Sequence, residues 1–306
     1  MSSPLPDAGT STNSEQPTPA ATPGTAAPPA AVTPAPAAAL PPVVSFDHVT
    51  KTYENGYTAI RDVTFVVEDR PGHMEFVTIL GPSGSGKSTI LRLIAGLPPQ
   101  HPATEGTVLV VGRPVEGPGA DRGMVFQDYT SFDNRTVVDN VAFGLECRGV
   151  PRRERRDRAL EWITKVGLDV RHDAHKYPHQ LSGGMRQRVA IARTLILQPR
   201  IVLMDEPFGA LDPRTRVNMQ DLLVGLTREA QATVFFVTHS IEEAVYLADR
   251  TFILSSAPGT ILKQLEVPPP DFPAREMQRQ PEFMDIVYSI RELMETLESS
   301  TRAGDE

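Results

Sequence analysis

The chain contains 306 residues, of which 40% are hydrophobic, and it carries a formal net charge of −8. This length allows one large domain or two small ones, and the acidic balance argues against a protein that binds nucleic acid electrostatically. No apolar run approaches the roughly 18 residues that a membrane-spanning helix needs. The single cysteine, Cys147, excludes an internal disulfide and is typical of a reducing compartment. We expect it to be a small buried hydrophobic residue.

Residues 1–42 differ in composition from the rest of the chain. They contain eleven prolines among alanine, threonine and serine, and no lysine or arginine occurs before Lys51. Such a segment cannot bury enough apolar surface to offset the entropy lost on ordering, so we expect a disordered tail. It lacks the basic and apolar regions of a secretory or transit peptide. We interpret it as a passive extension, with a partner-docking arm as the alternative.

The first predicted elements are three strands, at residues 43–49, 64–67 and 106–111. Their partial alternation of apolar and polar side chains is typical of an antiparallel sheet with one buried face. Tyr53 follows the first strand directly. An aromatic side chain there can stack on a nucleobase, and it can equally pack against a turn, so its position alone leaves both interpretations open.

Residues 76–94 predict a phosphate-binding loop. An apolar strand is followed by a glycine-rich turn and an apolar-periodic helix, which is the context that the motif G-x-x-x-x-G-K-[ST] requires. Glycines let successive backbone N–H groups converge on one anion, and the start of the helix adds its positive dipole end. We expect Lys87 to bind the β- and γ-phosphates of a nucleoside triphosphate, and Ser88 to bind Mg²⁺. The loop comprises Gly81, Pro82, Ser83, Gly84, Ser85, Gly86, Lys87, Ser88 and Thr89.

A short strand at residues 123–127 ends in Gln127, and helical periodicity begins near Asp128. The glutamine side chain is long enough to reach a metal-bound water, although a strand-end glutamine is more often structural. A helix that follows Pro151 begins with five arginines within seven residues. Such a run is usually a solvated helix face, and contact with anionic lipid headgroups is the alternative.

A second helix start that suits an anion lies at Ser182, Gly183 and Gly184. A serine at this position caps the helix, and the N–H groups of the first turn point toward a bound anion. Because the chain has one phosphate loop and two such helix starts, we expect the second to complete a site on another molecule.

Four consecutive apolar residues, 201–204, predict a central parallel strand, and Asp205 and Glu206 follow at its carboxyl end. Open α/β sheets bind ligands at such ends. Asp205 can hold the Mg²⁺ shell, and Glu206 can accept the proton of an attacking water. Residues 233–238 predict another buried strand that ends at His239. This histidine either caps the strand or hydrogen-bonds a γ-phosphate.

The carboxyl-terminal part contains a final predicted strand at residues 251–254, and an amphipathic helix that begins at Pro281. We expect fraying from about Ser299.

The order of these motifs over residues 43–265 resembles that of the nucleotide-binding subunit of ATP-binding cassette (ABC) transporters. The phosphate loop corresponds to Walker A and residues 201–206 to Walker B. The other matches are the Q-loop Gln127, the signature sequence at residues 181–185, the D-loop at residues 210–212 and the switch His239. The resemblance implies an α/β fold: a P-loop NTPase core with a mixed sheet, an antiparallel β flank and an inserted helical subdomain at about residues 128–185. Residues 266–306 would form a C-terminal helical extension.

The resemblance also implies roles for individual residues. Tyr53 would stack on adenine, Gln127 would contact the Mg²⁺ shell, and Glu206 and His239 would act in hydrolysis. ATP and Mg²⁺ are the implied cofactors. Two copies of the chain, or this chain and a related ABC subunit, would enclose two ATP molecules. Each site would combine the phosphate loop of one chain with the signature and D-loop of the other, which here supply Ser182, Gly183, Gly184 and Asp212.

Transmembrane permease subunits are the implied partners, with an extracytoplasmic solute-binding protein as an indirect one and no nucleic acid. The implied location is peripheral, on the cytoplasmic face of the cell membrane. Residues 117–127, 139–144 and 205–212 resemble the nitrate/sulfonate/taurine importer branch, which implies import of a small anion of this kind. That branch usually carries a Pro-Trp pair where this chain has residues 132–135, in the stretch expected to face the permease.

The alternative is a soluble, non-transport ABC ATPase. Such proteins carry two cassettes in tandem or a long coiled-coil insertion, and this sequence shows neither.

Overall fold

The computed structural model describes residues 40–69, 72, 75–128, 130–268 and 272–304, with side chains as far as Thr296. The tail predicted at residues 1–42 therefore lies almost wholly outside the described residues. The strands of the described ranges are β1 (Val44–Thr52), β2 (Thr58–Val67), β3 (Phe76–Leu80), β4 (Glu105–Val110), β5 (Arg113–Pro114), β6 (Arg122–Val125), β7 (Ile201–Asp205), β8 (Thr233–Thr238), β9 (Arg250–Leu254) and β10 (Ile261–Glu266).

The helices of the described ranges surround these strands. They are α1 (Lys87–Ala95), α2 (Val137–Cys147), α3 (Arg152–Lys165), α4 (Val170–Asp173), α5 (Gly183–Leu195), α6 (Pro213–Ala230), α7 (Ile241–Leu247), α8 (Ala274–Met277) and α9 (Pro281–Gly304), and a short 3₁₀-helix covers Pro178–Gln180. None of them combines the length and the apolar character that crossing a bilayer requires.

The central sheet has six strands in the order β10-β9-β3-β8-β7-β6. Its strands are parallel except β10, which runs antiparallel to β9. Alternate residues of β7 face opposite sides: Val202 and Met204 belong to one buried cluster, and Ile201 and Leu203 belong to the other. Burial on both faces explains the uninterrupted apolar run, because each such side chain contributes about 1.5–3 kcal/mol when removed from water. The sheet is mixed, as predicted.

The antiparallel flank consists of four strands in the order β2-β1-β4-β5. Aromatic packing joins it to the central sheet. The ring centroids of Phe46 and Phe65 lie 4.6 Å apart, and Phe65 lies 4.9 Å from Phe252 of β9. Helix α1 contacts strands of both sheets, so the phosphate loop that precedes it is supported from two sides.

The helical region between β6 and β7 packs around α5. Buried Val141 of α2, Ile163 of α3 and Val189 of α5 belong to one apolar cluster. Side chains cap α2 and α5 of this region, as sequence patterns predict for such termini, whereas α3 follows Pro151 and has no side-chain cap. The Thr136 hydroxyl accepts the Asp139 N–H at the start of α2, and the Ser182 hydroxyl accepts the Met185 N–H at the start of α5.

Three expectations from the sequence are wrong. The strand at residues 251–254 is not the last, because β10 follows it as an edge strand whose residues are mostly exposed or half-buried. Such a strand lacks the apolar run of a central one. The last helix continues past Ser299 to Gly304. Cys147 is exposed rather than buried, because it is the final residue of α2, beyond the last core residue of that helix, Leu145.

Candidate nucleotide-binding and hydrolysis site

The phosphate loop connects the end of β3 to the start of α1, and its glycines are required by space as well as by conformation. Gly86, which immediately precedes α1, has φ +85°. A Cβ atom on Gly86 would lie 2.4 Å from Cγ2 of Ile60 and 2.7 Å from the carbonyl oxygen of Ala59. Only glycine fits this position, because any side chain would force the loop away from the antiparallel sheet.

The side chain of Lys87 is folded beneath its own loop. Its ammonium group donates to the carbonyl oxygens of Gly81 (3.0 Å) and Pro82 (2.8 Å) and lies 3.8 Å from Oε1 of Glu206. The side chain is 4% exposed. Burial lowers the pKa of Lys87, and the nearby Glu206 and Asp205 carboxylates oppose this shift. An ammonium group has three N–H donors, so one donor remains for a ligand once the two loop carbonyls are satisfied.

Ser88, in the first turn of α1, and Asp205, the last residue of β7, bring two side-chain oxygens together. The Ser88 hydroxyl donates to Oδ1 of Asp205 at 2.6 Å, and Nη2 of Arg92 lies 3.8 Å from Oδ2. Burial raises the pKa of Asp205, against the effects of Ser88 and Arg92. This hard oxygen pair fits Mg²⁺, which takes most of its remaining ligands from water and phosphate. Accordingly, no group of three acidic, histidine or cysteine side chains arranged to hold a metal occurs in the described ranges.

Glu206 and His239 meet at the carboxyl edge of the central sheet. Parallel β7 and β8 end side by side, and the Glu206 N–H donates to the carbonyl oxygen of Val237 at 3.1 Å. Oε2 of Glu206 then lies 3.2 Å from Nδ1 of His239. Glu206 has φ +41°, a left-handed backbone conformation that L-residues other than Asn and Asp seldom adopt. The carboxylate is 18% exposed and therefore remains accessible to water.

Half of the predicted site residues line one cavity of about 400 Å³, and Gly81, Pro82 and Ser85 of the phosphate loop are not among them. Tyr53 lies at one side, where its hydroxyl is 3.2 Å from Oγ1 of Thr89. Asp205 and His239 do not line the cavity themselves but contact lining residues Ser88 and Glu206. The lining comprises Tyr53, Tyr57, Ala59, Ser83, Gly84, Gly86, Lys87, Ser88, Thr89, Gln127 and Glu206.

The signature and the D-loop lie beside each other, and none of their predicted site residues lines this cavity. A Cβ atom on Gly184 would lie 2.9 Å from the side chain of Thr215, in the first turn of α6. Asp212 caps that helix by accepting the Thr215 N–H at 3.1 Å, and hydrogen bonds with Thr215 lower the pKa of Asp212. Ser182, Gly183, Gly184 and Asp212 therefore form a second group of site residues on the same chain.

Comparison with known proteins identifies the family. The family model described as ABC transporter matches residues 70–209. The nitrate import ATP-binding protein NrtD of Synechocystis sp. is 48% identical over 72% of this chain and 83% of its own length. The taurine import ATP-binding protein TauB of Rhizobium johnstonii is 45% identical over 80% of this chain and 92% of its own length.

This chain belongs to the ABC transporter family. Two solved structures extend the similarity to the fold. One is the dimeric post-hydrolysis state of the ATP-binding cassette MJ0796 bound to ADP and Pi, with 36% identity and a TM-score of 0.62 over 74% of this chain and 99% of that one. The other is cbiO1 of Clostridium perfringens, part of the transporter complex cbiONQ, with 26% identity and a TM-score of 0.65 over 83% of this chain and 99% of that one. The protein is the ATP-binding and ATP-hydrolysing subunit of an ABC transporter.

Three residues near the site of this ABC ATPase were missed in the sequence. Arg92 follows Ser88 by one helical turn, so helical spacing could have revealed its position near Asp205. Tyr57 follows Tyr53 by four residues in the same turn, so the second aromatic residue could have indicated its place near the site. Glu243 had no comparable signal, because its burial depends on residues far away in the sequence.

Glu243 connects the switch histidine to the D-loop. The Thr238 hydroxyl donates to its carboxylate at 2.5 Å, directly before His239. On the other side, Nε of Arg216 lies 3.7 Å from the same carboxylate, and Nη2 of Arg216 donates to the carbonyl oxygen of Leu211 in the D-loop at 3.3 Å. Burial raises the pKa of Glu243, opposed by Thr238 and Arg216. This network holds the backbone before His239 relative to the D-loop.

We expect Glu243→Gln to reduce ATP turnover about 10-fold at unchanged ATP affinity. The amide still accepts from Thr238 but removes the negative charge beside Arg216, so the backbone before His239 is held less firmly. Steady-state ATPase assays and equilibrium ATP binding measure the two effects. Glu292→Gln is the matched control, since Glu292 is exposed on α9. Equal turnover in the two variants would show that the network does not position His239.

Proposed function

We propose that this ABC ATPase powers the import of a small anion, of the nitrate, sulfonate or taurine kind, through a membrane permease. The relatives named for nitrate and taurine import support the solute class, with identities of 48% and 45%. Lys87, Ser88 and Glu206 line one cavity, and Asp205 contacts Ser88. This convergence is the observation that chiefly supports ATP as the energy source, because the residues that we assign to phosphate, Mg²⁺ and the attacking water lie close together.

In the proposed site, Tyr53 contacts the adenine and the loop amides with Lys87 hold the phosphates. Ser88 and Asp205 would hold Mg²⁺, and Gln127 would contact the outer ligands of the ion. The ion would neutralise charge at the β- and γ-phosphates. Ser88 and Asp205 are already paired at 2.6 Å. Direct binding of the ion by both oxygens would require the serine hydroxyl to turn its hydrogen away from the carboxylate and the two oxygens to separate to about 2.9 Å, the spacing of neighbouring ligands around octahedral Mg²⁺.

Hydrolysis requires a water in line with the γ-phosphate. Glu206 accepts a proton from this water as the oxygen attacks phosphorus, and ADP leaves with the electron pair of the broken bond. His239 hydrogen-bonds the γ-phosphate or holds the Glu206 carboxylate in position. The separation of 3.2 Å between Nδ1 and Oε2 supports this pairing.

The second group of site residues fits a partner's nucleotide. Ser182, Gly183 and Gly184 begin an anion-facing helix outside the cavity of their own chain, and Asp212 lies near them. Two copies related by a twofold axis would each supply this group to the other's γ-phosphate. The dimeric form of the MJ0796 cassette supports such an arrangement. In our proposal the dimer closes on two ATP, opens after hydrolysis and transmits this motion to the permease at the cytoplasmic face of the membrane.

The proposed permease contact lies at the start of the helical region, at residues 129–148. Tyr129 is outside the described residues. The exposed ring of Phe132 lies 4.5 Å from Phe143, and the guanidinium of Arg135 lies 4.8 Å from the Phe143 ring. Buried Asn140 holds this loop by accepting the Phe132 N–H at 2.8 Å. This aromatic and cationic surface replaces the Pro-Trp pair usual in the branch, which supports a permease with its own complementary surface.

Cross-linking tests this contact. The native Cys147 is exposed at the end of α2, so a thiol-directed photocross-linker can be attached without further change. We expect irradiation in the host membrane to capture a multi-span permease subunit. The matched control is Cys147→Ser combined with Ser289→Cys, which moves the reagent to the exposed face of α9. Capture of the same subunit from both positions, or from neither, would contradict the proposed surface.

A further inference from the structure

The turn between β1 and β2 carries two tyrosines that face the same cavity. The Tyr53 N–H donates to the carbonyl oxygen of Tyr57 at 2.9 Å, and the side chain of Asn55 accepts the Tyr57 N–H at 3.0 Å. These bonds close the turn and place both rings on one side of it. The rings are nearly parallel, at 14°, with centroids 6.3 Å apart. Both side chains line the cavity that contains the phosphate loop.

Each tyrosine hydroxyl is tied to a different part of the phosphate-binding segment. The Tyr53 hydroxyl lies 3.2 Å from Oγ1 of Thr89, in the first turn of α1. The Tyr57 hydroxyl donates to the carbonyl oxygen of Gly84, within the loop itself, at 3.3 Å. Gly84 has φ +83°, and this left-handed backbone conformation of the loop sets the direction of its carbonyl group. The two hydroxyls therefore fix the aromatic turn relative to the phosphate cradle.

Tyr57 keeps a large apolar surface in water. The residue is 46% exposed. Because it lies in a turn outside the core, a polar residue could replace it without loss of core packing. One exposed ring needs no explanation by itself, but this ring also lines the cavity and lies nearly parallel to the Tyr53 ring. The pair therefore presents more aromatic surface to a base than Tyr53 alone, and a purine has more area than a pyrimidine with which to cover it.

We propose that Tyr57 is a second base-contacting residue, which forms with Tyr53 a two-ring wall that favours purine nucleotides and is fixed to the phosphate loop through Gly84. This inference deepens the proposed nucleotide site and rests on it. The wall selects by stacking area, which the bases of ATP and GTP offer to a similar extent. ATP and GTP are therefore expected to bind similarly, and CTP more weakly.

Equilibrium binding of ATP, GTP, CTP and inorganic tripolyphosphate, each with Mg²⁺, tests the wall. For Tyr57→Leu we expect Kd to rise about 5- to 20-fold for the two purine nucleotides and less for CTP, within the range known for single base–aromatic stacks. Tripolyphosphate, which has no base, is expected to show only the small loss that follows from removing the hydroxyl bond to Gly84. In ATP hydrolysis, Tyr57→Leu should raise KM and leave kcat nearly unchanged.

Two further variants separate the ring from its hydroxyl. Tyr57→Phe retains the ring and should restore the preference for purines, with a small loss common to all ligands because the bond to Gly84 is absent. Tyr288→Leu is the matched control, since this tyrosine of α9 is 51% exposed and lies outside the cavity. Its nucleotide affinities should not change. Thermal denaturation of each variant shows whether the fold is intact.

The outcomes distinguish this proposal from the nucleotide site on which it rests. Unchanged Kd values in Tyr57→Leu, measured beside a Lys87→Ala variant that has lost binding, would overturn the second base contact and leave the site in place. Equal weakening of ATP and tripolyphosphate would mean that Tyr57 acts only on the phosphate loop, which also overturns the proposal. Normal ATP binding by folded Lys87→Ala would contradict the site itself.

Discussion

Replacement of Glu206 by glutamine is expected to lower ATP turnover by about 10²–10⁴-fold, the usual contribution of a general base. ATP affinity should be preserved, because Lys87, the loop amides and the Ser88–Asp205 pair are unchanged. Glutamine has the same length and can still hydrogen-bond His239, which lies 3.2 Å from the carboxylate. The substitution therefore isolates the loss of proton acceptance. Single-turnover hydrolysis and equilibrium ATP binding provide the two measurements.

The same variant, Glu206→Gln, also tests whether two chains together form each ATP site. Loss of a negative charge close to the γ-phosphate should let the ATP-bound dimer persist, so we expect an ATP-dependent dimer in size-exclusion chromatography that is absent with ADP. Adding Ser182→Arg should abolish it, because a bulky side chain at the start of α5 blocks the amides that face the partner's phosphate. A monomer at saturating ATP would indicate that dimerisation needs the permease. Near-normal hydrolysis by Glu206→Gln would instead overturn the role of Glu206.

Removal of the Lys87 ammonium group is expected to weaken ATP binding at least about 30-fold. The group is 4% exposed, and truncating one member of a desolvated, hydrogen-bonded charge pair costs about 2–5 kcal/mol. In the free protein its hydrogen bonds end on the carbonyls of Gly81 and Pro82. Lys87→Ala therefore also removes part of what holds the loop closed. Calorimetric titration with ATP measures the affinity.

The control for Lys87→Ala is Lys263→Ala, which removes the same side chain from an exposed position on β10. Its ATP affinity should equal that of the wild-type protein. Circular dichroism and thermal denaturation establish that the Lys87 variant is folded. Tight ATP binding by a folded Lys87→Ala protein would be incompatible with the phosphate-binding loop assigned to residues 81–89.

The parts of this protein that could be predicted from sequence are those whose residues lie close together in the chain. The phosphate loop needs a strand, glycines and a lysine within about a dozen positions, and the run of buried residues in β7 specifies a central strand by composition alone. The antiparallel flank was predicted from such local patterns, and the mixed sheet and membership of the ABC family from the order of the motifs along the chain; all three are confirmed. The roles of the site residues remain predictions.

What the sequence did not provide depends on contacts between distant segments. The edge strand β10 has mostly exposed or half-buried side chains, so it lacks an apolar pattern and is recognised only by its pairing with β9. Glu243 is acidic on a helix and would ordinarily be solvated, but the fold places Thr238 and Arg216 around it. Cys147 shows the reverse case, since its residue type suggests burial and its place at the end of α2 leaves it exposed.

The left-handed backbone at Glu206 has an evolutionary consequence. At φ +41°, a residue other than glycine lowers the free energy of unfolding by about 1–2 kcal/mol. Glycine and asparagine tolerate this conformation best, but neither can accept a proton from water. Aspartate tolerates it and is acidic, yet it is one methylene shorter and reaches less far toward a nucleotide. Folding and turnover thus favour different residues at this position. With Glu206 as the proposed general base, a lineage released from the need to hydrolyse ATP should drift toward glycine or asparagine here and become more stable.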